Sequence, residues 1–206
     1  MLSSDQASRP LLIVVSAPSG AGKTTLCDRL LSELDHLVYS VSCTTREPRG
    51  TEVNGRDYYF LTPEEFQVRV EEGRFLEHAV VYGHRYGTLK ETVSDALESG
   101  QSVLMDIDIQ GAAQIRANMA AAPSWDPLKK GFVDIFILPP SVGALKERLE
   151  RRNEDEPGAI AGRLGAARRE LKGAREYKYS VVNDDVERAY AELVGIIERE
   201  HAVRKD

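Results

Sequence analysis

Residues 16–25 read Ser-Ala-Pro-Ser-Gly-Ala-Gly-Lys-Thr-Thr. Glycines at 20 and 22 let a loop curl tightly and turn several backbone N–H groups inward, an arrangement that receives an anion. A helix starting near Lys23 adds its unpaired N-terminal donors and the positive end of its dipole. Lys23 has the reach for β- and γ-phosphates, and the Thr24 hydroxyl suits a Mg²⁺ bridging them. The segment Ala17, Pro18, Ser19, Gly20, Ala21, Gly22, Lys23, Thr24 and Thr25 is therefore expected to hold a nucleoside triphosphate. Phosphate-binding loops of this pattern carry Gly where Ala17 stands, and Ala fits if that position avoids positive φ. The plainer reading is a Gly-rich turn that caps a helix. The strand-like run Leu11–Val15 before it and the helical spacing of Leu26, Leu30, Leu31 and Leu34 after it count against that.

A second group is Thr44-Thr45-Arg46-Glu47-Pro48-Arg49-Gly50. Its two guanidinium forks suit bidentate binding of a phosphate, with hydroxyls from Tyr58 and Tyr86 in support. Two loop arginines alone are more often solvated. Beside a phosphate loop they suggest a site that moves a phosphoryl group between two phosphorylated ligands. Asp106 ends the apolar run Ser102-Val103-Leu104-Met105 and is placed to order Mg²⁺-bound waters, the alternative being a cap for the next helix. On a continuing strand, Asp108 shares its face.

Apolar β-rich runs alternate with helical patterns, which predicts an α/β fold with a parallel sheet flanked by helices. Strands are expected at 11–16, 38–42, 102–107, 133–138 and 179–182. Helices are expected at 23–34, 89–98, 110–118, 141–151, 157–176 and 185–203. The stretch 44–88 breaks this rhythm and reads as a small inserted mixed-β subdomain with an acidic helix near 63–72. The Arg- and Glu-rich stretch 151–173 reads as a helical flap, and 119–131 as a surface loop anchored by Trp125, the alternative for that residue being a partner contact. At 206 residues the chain is expected to form one domain. A net charge of −6 argues against a nucleic-acid-binding surface. Two cysteines without metal-ligand spacing suit a reduced cytosol, and no run reaches membrane-spanning length. Met1–Pro10 lacks an apolar signal core, so a cytoplasmic protein with a short flexible tail is expected.

Further motifs fall in order along the chain. They are Val41-Ser42-Cys43-Thr44-Thr45-Arg46-Glu47-Pro48-Arg49, Glu52-Val53-Asn54-Gly55-Arg56-Asp57-Tyr58, Phe75-Leu76-Glu77-His78-Ala79 and Tyr86-Gly87-Thr88. Asp106-Ile107-Asp108-Ile109-Gln110-Gly111, Ile137-Leu138-Pro139-Pro140-Ser141 and Val182-Asn183-Asp184-Asp185 follow. With residues 16–25, these resemble the guanylate kinases from about residue 11 to 200. The resemblance implies a P-loop core (11–43, 89–150 and 174–206), a GMP-binding subdomain (44–88) and a helical lid (151–173). It implies ATP and GMP as substrates, Mg²⁺ as cofactor and a role in purine nucleotide metabolism. Arg46, Arg49, Tyr58 and Tyr86 would hold the GMP phosphate, and Ser42, Glu77, Thr88 and Asp108 would surround the guanine. Arg148, Arg152 and Arg163 would join Lys23 and Arg46 on the transferring phosphoryl group, Asp106 would reach the metal through water, and Asn183 would lie near the adenine. By position alone, Glu77 is an ordinary surface strand carboxylate, and Asn183 is as well explained as a polar cap before the last helix.

Three features depart from the family pattern. Arg151-Arg152-Asn153 lacks the lid glycine, His84-Arg85 precedes Tyr86, and the 119–131 segment is long. Arg85 either enters the GMP pocket or points outward. Two other readings remain at this level: a kinase of the same fold with another small phosphate acceptor, and a non-catalytic binding module. The intact Gly22, Lys23 and Thr24 weigh against the second.

Overall fold

The structure, a computed structural model, describes residues 9–81, 83–151 and 157–203. The apolar run ahead of the phosphate loop is β1 (Leu12–Ser16), the middle strand of a five-stranded sheet. β7 (Ser102–Asp106) and β8 (Phe132–Leu138) flank it, β2 (Leu37–Tyr39) lies outside β7, and β9 (Tyr179–Val182) lies outside β8. All pairings are parallel. β1 is continuously apolar because both of its faces are covered. Ile13 and Val15 share a buried cluster with Leu26 and Leu30 of α1 (Lys23–Glu33) and with Leu193 and Ile197 of α8 (Val186–Val203). Leu12 and Val14 share the opposite cluster with Val93 of α3 (Lys90–Glu98) and Ile115 of α4 (Ile109–Ala121). The one carboxylate inside β8, Asp134, is buried but satisfied. It accepts from Arg116 Nη1 (3.1 Å) and from the Lys178 backbone N–H (2.9 Å).

A second, mixed sheet has the order β4-β3-β6-β5 and is formed by β3 (Cys43–Thr44), β4 (Tyr59–Phe60), β5 (Phe75–Val81) and β6 (His84–Leu89). α2 (Pro63–Glu71) packs on it, with Phe66 stacked on Phe75 at 4.4 Å beside Cys43 and Leu89. Its start is a capping box: Thr62 accepts from the Glu65 N–H, and Glu65 accepts from the Thr62 N–H.

The strand expected at 38–42 is divided. The Ser40 N–H still donates to the Leu104 carbonyl (3.0 Å), after which the chain crosses and enters the other sheet at Cys43. One alternating apolar run thus serves two sheets. The expected 119–131 loop is also corrected. α4 continues to Ala121, and Pro127–Gly131 forms the short helix α5. Asp126 caps α5 by accepting from Leu128 N–H (2.8 Å) and Lys129 N–H (3.3 Å), the Asp-Pro helix start that the sequence carries. Trp125 is 70% exposed, so it does not anchor this segment. α6 (Val142–Arg151) and α7 (Pro157–Gly173) pack through Leu145, Leu149, Leu164 and Ala167. α7 ends at Gly173 rather than 176, and a 3₁₀ turn over Ala174–Glu176 follows.

Candidate active site

β1 ends at Ser16 and α1 begins at Lys23, so the phosphate loop spans the gap at the C-terminal edge of the parallel sheet. Gly20 and Gly22 have φ of 87° and 89°, the left-handed region that favours glycine. Each is also packed. A Cβ on Gly20 would stand 3.1 Å from Leu145 of α6, and one on Gly22 would stand 2.3 Å from Asn183 Nδ2. Asn183 donates that amide to the Ala21 carbonyl (2.7 Å) and receives Arg148 Nη2 on its own backbone oxygen (2.8 Å). Arg148 Nη1 also points at the Ala21 carbonyl (3.4 Å). The cap reading of Asn183 is not what the structure has, because the Asp185 carboxylate performs that task for Arg188 N–H. These residues, with Thr25, Asp184 and Val186, line a cavity of about 600 Å³, a size that accommodates a nucleotide.

Lys23 makes an ion pair with Asp106 at the end of β7. Burial pulls the Lys23 pKa below the ordinary lysine value, while Cys27, Asp108 and Glu170 work the other way. The contact with Asp106 favours the ammonium form. Thr24 is exposed at the first turn of α1. Thr24 and Asp106 therefore offer the hard oxygen donors that Mg²⁺ takes.

Arg46 is only 7% exposed and is held before any ligand arrives. Its Nη1 and Nη2 each meet a different oxygen of Glu52 at 2.9 Å, and Nη1 also donates to the Glu47 carbonyl (2.7 Å). The Glu52 bonds push its pKa further up, burial works against them, and Tyr86 adds to the rise. Its guanidinium lies 5.2 Å from the centre of the Tyr58 ring, and Tyr58 meets Tyr86 edge-on at 5.9 Å. Arg49 is exposed, with its backbone N–H on Glu52 (2.7 Å). The Arg46 side chain and the Arg49 backbone thus meet at Glu52, a residue that sequence reasoning gave no task, while Tyr58 and Tyr86 stand on the Arg46 side. Arg85 resolves to the far side of β6. It donates to Gln67 of α2 (2.5 Å), and its guanidinium stands 5.9 Å from the Phe66 ring, away from Tyr86.

Glu77 is no surface carboxylate. It is 5% exposed on β5 and accepts from the Thr88 hydroxyl of β6 (2.9 Å). Burial pushes the Glu77 carboxyl up to about 7, Thr88 pulls it back, and the charge of Asp108 adds to the rise. Asp108 does not share a strand face with Asp106, because β7 stops at Asp106. Instead Asp108 is the N-cap of α4 and accepts from the Gly111 N–H (2.8 Å). Ser42 is half-buried just ahead of β3, and its carbonyl accepts from the Tyr59 N–H (2.9 Å). The two halves of the site lie within electrostatic reach of a shared residue. Lys23 of the phosphate loop and Asp108 of the Glu77 pocket both act on Glu170, a half-buried carboxylate on α7. Burial raises the Glu170 pKa first, Asp108 raises it further, and Lys23 lowers it. Nothing in its spacing singled it out among the Arg and Glu of that helix. Arg163 is half-buried on the same helix, and Arg152 and Asn153 lie outside the described residues.

The guanylate kinase family profile matches residues 9–200. The chain belongs to the guanylate kinase family. A guanylate kinase of Maricaulis maris is 45% identical over 196 residues, which is 95% of this chain and 86% of that one. One from Clostridium perfringens is 44% identical over 189 residues, covering 92% and 83%. The crystal structure of guanylate kinase from Anaplasma phagocytophilum has a TM-score of 0.72 at 34% identity, over 94% of this chain and 87% of that one. Residues 16–25 and 44–50 both fall inside the stretch matched by the family profile. Among the described residues, no helix is long and apolar enough to cross a membrane.

Proposed function

We propose that this chain transfers the γ-phosphoryl group of ATP to GMP, giving ADP and GDP. The observation that carries the reading is the buried Glu77–Thr88 pair, on the same mixed sheet as the segment that leads into the Arg46–Glu52 pair, with the charge of Asp108 acting both on Glu77 and on Lys23 of the Gly-rich loop. The phosphate loop, with Ala17–Thr25, takes ATP, and Asn183 lies on the adenine side of that cavity. Arg46, Arg49, Tyr58 and Tyr86 take the GMP phosphate. Ser42, Glu77, Thr88 and Asp108 take the base.

Guanine offers N1–H and the N2 amino group as neighbouring donors, and an ionised Glu77 accepts both. Adenine has a lone pair at N1 and no N2 amino group, so AMP leaves a buried carboxylate facing an acceptor. A hydrogen-bonding site of this kind rejects such an analogue by factors on the order of 10⁴. Binding GMP favours the ionised form, so a proton held near pH 7 leaves as the base docks.

In the transfer, a GMP phosphate oxygen attacks the γ-phosphorus while the bond to the ADP oxygen breaks. The acceptor oxygen is already nucleophilic, so no strong base is needed and the work is alignment and neutralisation of repelling charge. Lys23 and Arg148 supply cations from the phosphate-loop side, Arg46 from the acceptor side, and Arg152 and Arg163 from the 151–173 segment. Mg²⁺, held by Thr24 directly and by Asp106 through water, would supply further neutralisation of the triphosphate. Closure of 151–173 over the site excludes the water that would otherwise take the phosphoryl group.

The test is ADP release from Mg·ATP with GMP, AMP, CMP, UMP or no acceptor. Release with GMP alone, matched by GDP, supports both the reaction and the base selection. Release with no acceptor, or equally with AMP, overturns them.

A further inference from the structure

α4 runs along the outer edge of β5, and three of its residues make the contact. Gly111, Gln114 and Asn118 are three and four residues apart, which sets them in one stripe on one face of the helix. The Gln114 carboxamide accepts from the His78 N–H (3.2 Å) and donates to the His78 carbonyl (2.7 Å). Asn118 donates to the Leu76 carbonyl (2.9 Å). Leu76 and His78 are the two neighbours of Glu77, so the helix grips the backbone on either side of it. The third residue has no side chain. A Cβ on Gly111 would stand 2.5 Å from Glu77 Oε2, 3.1 Å from its Cδ and 3.4 Å from its Cγ.

The Glu77 carboxylate thus occupies the space that a side chain at 111 would fill. No backbone turn demands glycine there. Gly111 lies in the first turn of α4 and is absent from the glycines with positive φ. A glycine in that setting weakens a helix relative to alanine, so its presence calls for a packing reason. Glu77 has little freedom to step aside, being buried and bonded to Thr88. A methyl group at 111 displaces the carboxylate, and the displacement breaks the bond that orients it.

We infer that Gly111 is a positioning residue for base selection: its missing side chain, on a helix clamped to both neighbours of Glu77, sets where the carboxylate meets guanine. This rests on the reading of Glu77 as the base-recognising group. The test is a double-mutant cycle of Gly111→Ala and Glu77→Ala, with KM for GMP, KM for ATP, kcat and melting temperature measured for all four proteins. Gly111→Ala alone is expected to raise KM for GMP by about ten- to a hundred-fold, the value of charge-assisted hydrogen bonds. KM for ATP stays at the wild-type value, and the melting temperature checks that each protein is folded at the assay temperature. In the Glu77→Ala background the same substitution has no further effect, because no carboxylate is left to displace. An undiminished effect in that background, or none in the wild type, overturns the positioning role. Unchanged GMP kinetics in Glu77→Ala overturns the base-recognition reading instead.

Discussion

Replacing Glu77 with Gln should make the free protein more stable as it makes it a worse kinase. Burial moves this carboxyl from its ordinary value near 4.5 to about 7. Between those values the folded chain keeps a proton that the unfolded chain has released. The raised value means the group's contribution is intact below about pH 4.5 and is lost as pH rises through 7. At 1.36 kcal/mol per pH unit, the loss amounts to about 3 kcal/mol. Gln has the same size, keeps an oxygen for the Thr88 hydroxyl and does not titrate. Glu77→Gln is therefore expected to outlast the wild type by up to about 3 kcal/mol at pH 8, or roughly 6–12 °C in Tm for a chain of this size. The gap should close toward pH 5. Urea or thermal unfolding at pH 5, 6, 7 and 8 without nucleotide measures it. The slope is decisive, since any fixed difference between an amide and a carboxyl shifts all four points together. A pH-independent difference, or a wild type that gains on the variant as pH rises, would refute the argument that ionised Glu77 is strained in the empty pocket. Saturating GMP should shrink the gap, because it binds the ionised folded form.

Other outcomes follow from the phosphate loop. Lys23→Ala is expected to lower kcat by at least about a hundred-fold with unchanged circular dichroism, and near-normal turnover would remove Lys23 from the mechanism. Gly22→Ala combines a left-handed φ of 89° with a 2.3 Å approach to Asn183, so calorimetry should find a lower Tm and ATP titration a weaker Kd. Asn183→Ala releases the Ala21 carbonyl and is expected to raise KM for ATP while leaving KM for GMP alone; equal effects on both would contradict its place in the ATP cavity. Chelation of divalent cations should stop turnover, with recovery on adding Mg²⁺, and persistent activity in excess chelator would exclude the metal role of Thr24 and Asp106.

The parallel sheet was legible because strands buried on both faces write themselves as apolar runs, and β1, β7 and β8 do so. The Gly-rich loop between β1 and α1, with its two left-handed glycines, was legible because its residues are contiguous. Burial of Glu77 was not, since nothing local distinguishes it from an exposed strand carboxylate; α4, some thirty residues on, covers it. Glu52 was hidden for the opposite reason. It is near Arg46 in sequence, but only the folded loop turns its two oxygens onto one guanidinium. The Asp126-Pro127 helix start is written in the sequence, but Pro123, Ser124, Pro127 and Gly131 give the stretch a loop-like composition around a helix of five residues. The single strand expected at 38–42 concealed a change of sheet, which periodicity does not record.

The grip of α4 on β5 has a consequence for how molecules of this protein meet each other. β5 is seven residues long and stands at the edge of its sheet, the kind of strand that recruits a strand from a neighbouring chain. Gln114 fills both hydrogen-bonding groups of His78 as a peptide unit would, and Asn118 fills the Leu76 carbonyl. Two side-chain amides thereby act as a counterfeit strand. The opposite edge, β4, is two residues long and gives little to pair with. At Leu76 and His78 the edge of the mixed sheet is in this way withheld from a neighbouring chain, without adding a strand to the fold.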